Sequence, residues 1–182
     1  MKKIIYRLEN LVKEENEKIL IPRRSPEERQ KNYNVATQRK IQQYIKGSSK
    51  RNLYLNDTPI TSLPDNLKVR GSLLLTGTKI TSLPKDLKVR GSLYLSGTGI
   101  TSLPEGLEVG GTLDLRYSKI ISLPKDLKVG GSLYLSRTKI TSLPKDLKVG
   151  GNLELYDTGL SKTHTEDQIK NMCPGIKGEI KI

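Results

Sequence analysis

From Arg51 the chain repeats a 20-residue unit almost without slippage: RNLYLNDTPITSLPDNLKVR, GSLLLTGTKITSLPKDLKVR, GSLYLSGTGITSLPEGLEVG, GTLDLRYSKIISLPKDLKVG and GSLYLSRTKITSLPKDLKVG, before GNLELYDTGL breaks off. A fixed period of this length restricts the fold to a repeat solenoid, in which each unit covers the apolar face of the next. The handful of aliphatic side chains in one unit cannot offset the entropy of ordering twenty residues, so stacking is obligatory.

Within a unit the apolar positions alternate. Leu127, Val129, Gly131, Leu133 and Leu135 occupy one face, whereas Lys128, Gly130, Ser132 and Tyr134 occupy the other. This period of two predicts one bent strand per unit. Gly71, Gly91, Gly111, Gly131 and Gly151 recur in an inward slot, where a missing side chain lets the backbone turn a corner or approach its neighbour closely. Ser142-Leu143-Pro144 then closes the strand, because proline cannot donate to a ladder, and the unit returns to its start.

The string LxLxxTxIxxLPxxL resembles the short bacterial type of leucine-rich repeat, LxLxxNxLxxLPxxL, and similar tandem units occur in phage and bacterial proteins. The resemblance covers about two thirds of the chain. It implies a leucine-rich-repeat-like β-solenoid that binds another protein, and a phage or bacterial source. The family's asparagine is replaced here by Thr58, Thr78, Thr98, Ser118, Thr138 and Thr158. A hydroxyl ladder can satisfy backbone groups across the same turn with a shorter side chain. The usual LxxL before the strand is LxVxGxL, which leaves a flatter coil as the alternative cross-section to a horseshoe.

The flanks read as caps. Ile4, Leu8, Leu11 and Val12 lie at helical spacing over residues 3–19, while Arg7, Glu9 and Lys13 interrupt any signal-peptide or membrane-spanning run. Ser25-Pro26-Glu27-Glu28 starts a second helix that reaches Gly47, with Ile41, Tyr44 and Ile45 as its packing face and a break allowed at 32–34. Thr165-Glu-Asp-Gln168 is a capping box for a helix over 165–172, ended by Pro174. Residues 176–182 align with 129–135, so Ile176, Ile180 and Ile182 fall on inward slots of one more strand. The expected division is therefore a basic helical N-terminal cap (1–50), the solenoid (51–160) and a helix-plus-strand C-terminal cap (161–182).

Charge is uneven. Of the net +13, residues 1–50 carry 13 basic and 6 acidic side chains. Arg23, Arg24, Arg29, Arg39 and Lys40 make this block the place where a nucleic-acid-binding accessory protein would carry its phosphate contacts. Lys68, Lys88, Lys128 and Lys148 form a second basic column, interrupted by Glu108. A single cysteine excludes an internal disulfide and a multi-cysteine metal site, and its scarcity points to a cytoplasm, the host's if the chain is phage-encoded. His164 and Cys173 come with no catalytic partner motif, and no phosphate-binding loop, dinucleotide fingerprint or calcium loop is present. The expectation is a non-enzyme with no cofactor, metal, membrane or small-molecule ligand.

A protein partner is expected on the outward strand face. Internal duplication makes units alike by default, so the unit that departs most marks the site. The fourth places Asp114, Arg116, Tyr117 and Ser118 where its neighbours carry other residues, and Tyr94, Tyr134 and Arg137 adjoin it. Tyrosine and arginine are the usual anchors of protein interfaces. The alternatives are the nucleic-acid reading and a structural component of a phage particle.

Overall fold

The computed structural model describes residues 25–47 and 52–182. The expected helix over 3–19 lies outside them, as do Arg23 and Arg24.

The repeat is a parallel β-solenoid of about five turns. Each turn contributes two short strands rather than one bent strand. The first sheet joins Leu53–Tyr54, Leu73–Leu74, Leu93–Tyr94, Leu113–Asp114, Leu133–Tyr134, Leu153–Glu154 and Ile180–Lys181 in that spatial order. The second joins Lys68–Val69, Lys88–Val89, Glu108–Val109, Lys128–Val129 and Lys148–Val149. The glycine column sits at the bend between the two. Gly91 N–H donates to Gly71 O at 3.0 Å, and Gly111, Gly131, Gly151 and Gly178 repeat that bond upward.

Every turn buries the same set of side chains. In the fourth these are Leu113, Leu115, Ile120, Leu123, Leu127 and Val129, none more than 8% exposed. The fourth unit has turns at 116–117 and 125–126 and a bend at 110–111, and closes without a helix. The threonine column works as a ladder within each turn: Thr58, Thr78, Thr98, Thr138 and Thr158 Oγ1 donate to the carbonyl three residues back at 2.6–2.8 Å. A second column links successive turns. Asn52, Ser72, Ser92, Ser132 and Asn152 side-chain oxygens each accept a backbone N–H from the turn above.

The helix at the N-terminal side, α1 (Pro26–Lys46), begins with Ser25 as the expected cap, Glu28 N–H to Ser25 Oγ, and Glu28 Oε2 returns the bond by accepting from Ser25 N–H. It is continuous through 32–34. Ile41 is fully buried and Tyr44 packs against the core, but Ile45 is 46% exposed, so the expected packing face is corrected: Thr37, at 6% exposure, completes it. Residues 37, 41 and 44 lie within about 60° of one another around a helix, and residue 45 falls on the flank.

At the other end α2 (Glu166–Met172) has Thr165 as its cap with the reciprocal Gln168 bond. The chain then re-enters the solenoid in the expected register, Ile176 beside Val149 and Ile180 beside Leu153. Ile176 and Ile180 are buried; Ile182, expected inside, is 36% exposed. No helix among the described residues is long and apolar enough to cross a membrane.

Candidate functional site

The first sheet brings the fourth-turn residues and their neighbours together. Tyr94, Asp114 and Tyr134 are Cα partners on three successive strands, about 4.8 Å apart. Asp114 is not presented outward as its column implies; it is only 4% exposed. The cause is Arg116, two residues on, which folds back to give Nε to Oδ1 at 3.0 Å and Nη2 to Oδ2 at 2.8 Å, while its backbone N–H also reaches Oδ1. The guanidinium lies 5.1 Å above the Tyr134 ring. Hydrogen bonding to Asp114 holds Arg116 above its ordinary pKa. The positive charge is thus fixed in place while its side chain stays 41% exposed.

A second cluster follows at the turn. Arg137 donates Nη1 to Tyr117 Oη at 3.0 Å and Nε to Asp157 Oδ2 at 3.1 Å, with its guanidinium 5.2 Å from the Tyr117 ring centre. Its pKa is raised chiefly by the Asp157 hydrogen bond. Tyr117 is 56% exposed.

These two residues share an unusual backbone. The turn position reads Asp57, Gly77, Gly97, Tyr117, Arg137 and Asp157 along the repeat, and every one has a positive φ between 53° and 70°. Glycine takes that conformation freely and aspartate tolerates it; a bulky residue pays about 1–2 kcal/mol. Turns four and five therefore carry large exposed side chains where the fold itself favours glycine.

The fourth turn is irregular in two further ways. Ser118 replaces the ladder threonine, and its buried Oγ is the single buried side-chain oxygen or nitrogen without a hydrogen-bond partner among the described residues. Ile121 replaces a threonine and stands 56% exposed. In other turns Lys79, Gly99 and Lys139 donate to the isoleucine carbonyl of the turn below; here Ile121 N–H reaches Thr101 O at 3.4 Å instead. Ile121 was absent from the sequence reading, although the ISLP in place of TSLP was its signal.

The basic positions are scattered by comparison. Arg29, Arg39 and Lys40 are exposed on α1. On the second sheet, an open basin of about 730 Å³ is lined by Lys85, Lys88, Arg90 and Lys128, but also by Asp86 and Glu108. Glu108 is ion-paired with Lys128, whose hydrogen bond holds the carboxyl below its usual pKa. The lysine column is thus partly neutralised from within.

His164 is half-buried with Nδ1 2.8 Å from Thr163 Oγ1. Cys173 is fully buried against Pro144 O, and burial raises its thiol pKa. Among the described residues no group of three or more His, Cys, Asp or Glu side chains is placed to hold a metal ion. The chain matches no protein-family model, and no curated protein matches it either.

Proposed function

We propose that this chain is a non-catalytic protein-interaction module that holds a partner protein against the outward face of its first sheet, centred on the fourth and fifth turns. The observation that carries this reading is Tyr117 and Arg137 in the left-handed conformation. Strain retained at exposed positions, where the same fold uses glycine twice, supports a task for those side chains. The exposed Tyr117, the stacked Arg116 and Arg137 and the neighbouring Tyr94 and Tyr134 supply the residue types that anchor interfaces. The seven strands of the sheet give a face about 29 Å long, adequate for an interface of ordinary size. The resemblance to repeat proteins of phages and bacteria supports the same class of function. If the chain is phage-encoded, the partner is a host protein, and occupying it inhibits or redirects that host factor.

The test is a pull-down from nuclease-treated lysate of the cells in which the chain is expressed. Wild type is compared with Asp114→Ala/Arg116→Ala/Tyr117→Ala, whose folding is checked by its unfolding transition. A protein retained by wild type and lost by the folded variant is expected. Retention that is equal in both, or that consists only of material displaced by modest salt, overturns the strand-face reading and turns attention to the basic block containing Arg29, Arg39 and Lys40.

A further inference from the structure

Resting on that reading, we infer that the partner presents an acidic stretch of polypeptide to this patch. Arg116 spends Nε and Nη2 on Asp114, and Arg137 spends Nε on Asp157 and Nη1 on Tyr117. The N–H groups on Nη1 of Arg116 and Nη2 of Arg137 have no acceptor among the described residues. Tyr117 Oη accepts from Arg137, which leaves its own proton to donate. The hydroxyls of Tyr94 and Tyr134 likewise have no partner among the described residues.

Four of the six oxygens of the three carboxylates beside the patch are taken. Asp114 takes three bonds from Arg116, Glu154 Oε1 accepts from Ser136 at 2.7 Å, and Asp157 accepts from Arg137. Exposed Lys119 and Lys139 follow Tyr117 and Arg137 by two residues on their own turns. With four basic side chains (Arg116, Lys119, Arg137, Lys139) against three carboxylates (Asp114, Glu154, Asp157), the patch keeps a net positive charge and outward-facing donors, and its complement is a series of anionic acceptors.

Carboxylates fit better than the phosphates of a single-stranded nucleic acid. Continuous base stacking needs aromatic rings in succession. Successive strands here carry Tyr94, Asp114 and Tyr134, so the rings are separated by a salt bridge. Guanidiniums on adjacent turns, by contrast, can each take a carboxylate from an extended acidic segment, whose same-face side chains recur about every 6.8 Å.

The experiment is fluorescence anisotropy at near-physiological salt with a labelled ten-residue glutamate peptide and a labelled ten-nucleotide thymidine oligomer as probes. Three full-length proteins are compared: wild type, Asp114→Asn/Arg116→Gln/Arg137→Gln, and Lys88→Gln, which changes the net charge by the same amount on the second sheet. Both variants are checked for folding. The glutamate peptide should bind wild type and Lys88→Gln within about threefold of each other, and the patch variant at least about tenfold more weakly. Equal losses in the two variants, no binding of the peptide to wild type, or tighter patch-dependent binding of the oligonucleotide would each overturn the inference. The pull-down separates the two levels: a patch-dependent protein partner without peptide binding removes only the acidic chemistry, whereas no patch-dependent partner removes the interaction reading itself.

Discussion

Replacing Gly91 by alanine is expected to destabilise the solenoid by about 3 kcal/mol or more, at the upper end of what overpacking costs. An added Cβ would lie 2.6 Å from Gly71 C and 2.7 Å from Gly71 O and Ser72 N. These are backbone atoms of the turn below, tied to Gly91 itself by the 3.0 Å hydrogen bond, and no rotamer can move them aside. Relief requires the two turns to separate, which breaks ladder bonds and opens the leucine rows on both sides. Gly97→Ala is the control. Gly97 has φ +68° and no atom within 4 Å of an added Cβ, so only backbone strain of about 1 kcal/mol is expected. Denaturant unfolding of the two variants checks this; an equal loss at both sites would mean that the glycine column is kept for backbone freedom and not for close approach.

Arg116→Ala is expected to cost about 2 kcal/mol, more than its exposed position suggests, because it strips the partner from a buried carboxylate. The figure lies below that for a fully buried pair because Arg116 is itself 41% exposed and water can reach Asp114 once it is gone. Converting both residues to those of the fifth turn, Asp114→Tyr with Arg116→Ser, removes the charge together with its partner. That double variant should recover at least the whole loss. A double variant as unstable as the sum of its single changes would show that the pair is not a coupled unit.

Much of this architecture can be read directly from residue types. A strict period specifies stacking, inward leucines specify the core, and a glycine column specifies close approach, because each follows from what a side chain is. Ile176 and Ile180 re-entering the solenoid were legible for the same reason. The division of each turn into two strands was not, since Val129, Gly131 and Leu133 alternate whether or not the chain bends between them. Thr37 was missed on α1 because a threonine reads as polar, yet its hydroxyl turns back onto Tyr33 O at 2.9 Å and its methyl group is free to pack. The burial of Asp114 depends on where the Arg116 side chain lies, which no periodicity encodes. The strain at Tyr117 and Arg137, however, was visible in principle: the repeat aligns both with Gly77 and Gly97. Reading the repeat as columns of backbone conformation, as well as of apolar residues, would have marked them.

On the proposed function, the fourth turn gives up regularity in exchange for a contact surface. A variant that returns that turn to the pattern of its neighbours, Asp114→Tyr, Arg116→Ser, Tyr117→Gly, Ser118→Thr and Ile121→Thr, tests this when its partner retention is measured beside wild type. The change removes a strained residue and gives a buried hydroxyl its carbonyl, so the variant should unfold at a higher denaturant concentration. It should also retain no partner. A regularised turn that binds as well as wild type would contradict the claim and place the departures of the fourth turn among neutral changes within the repeat.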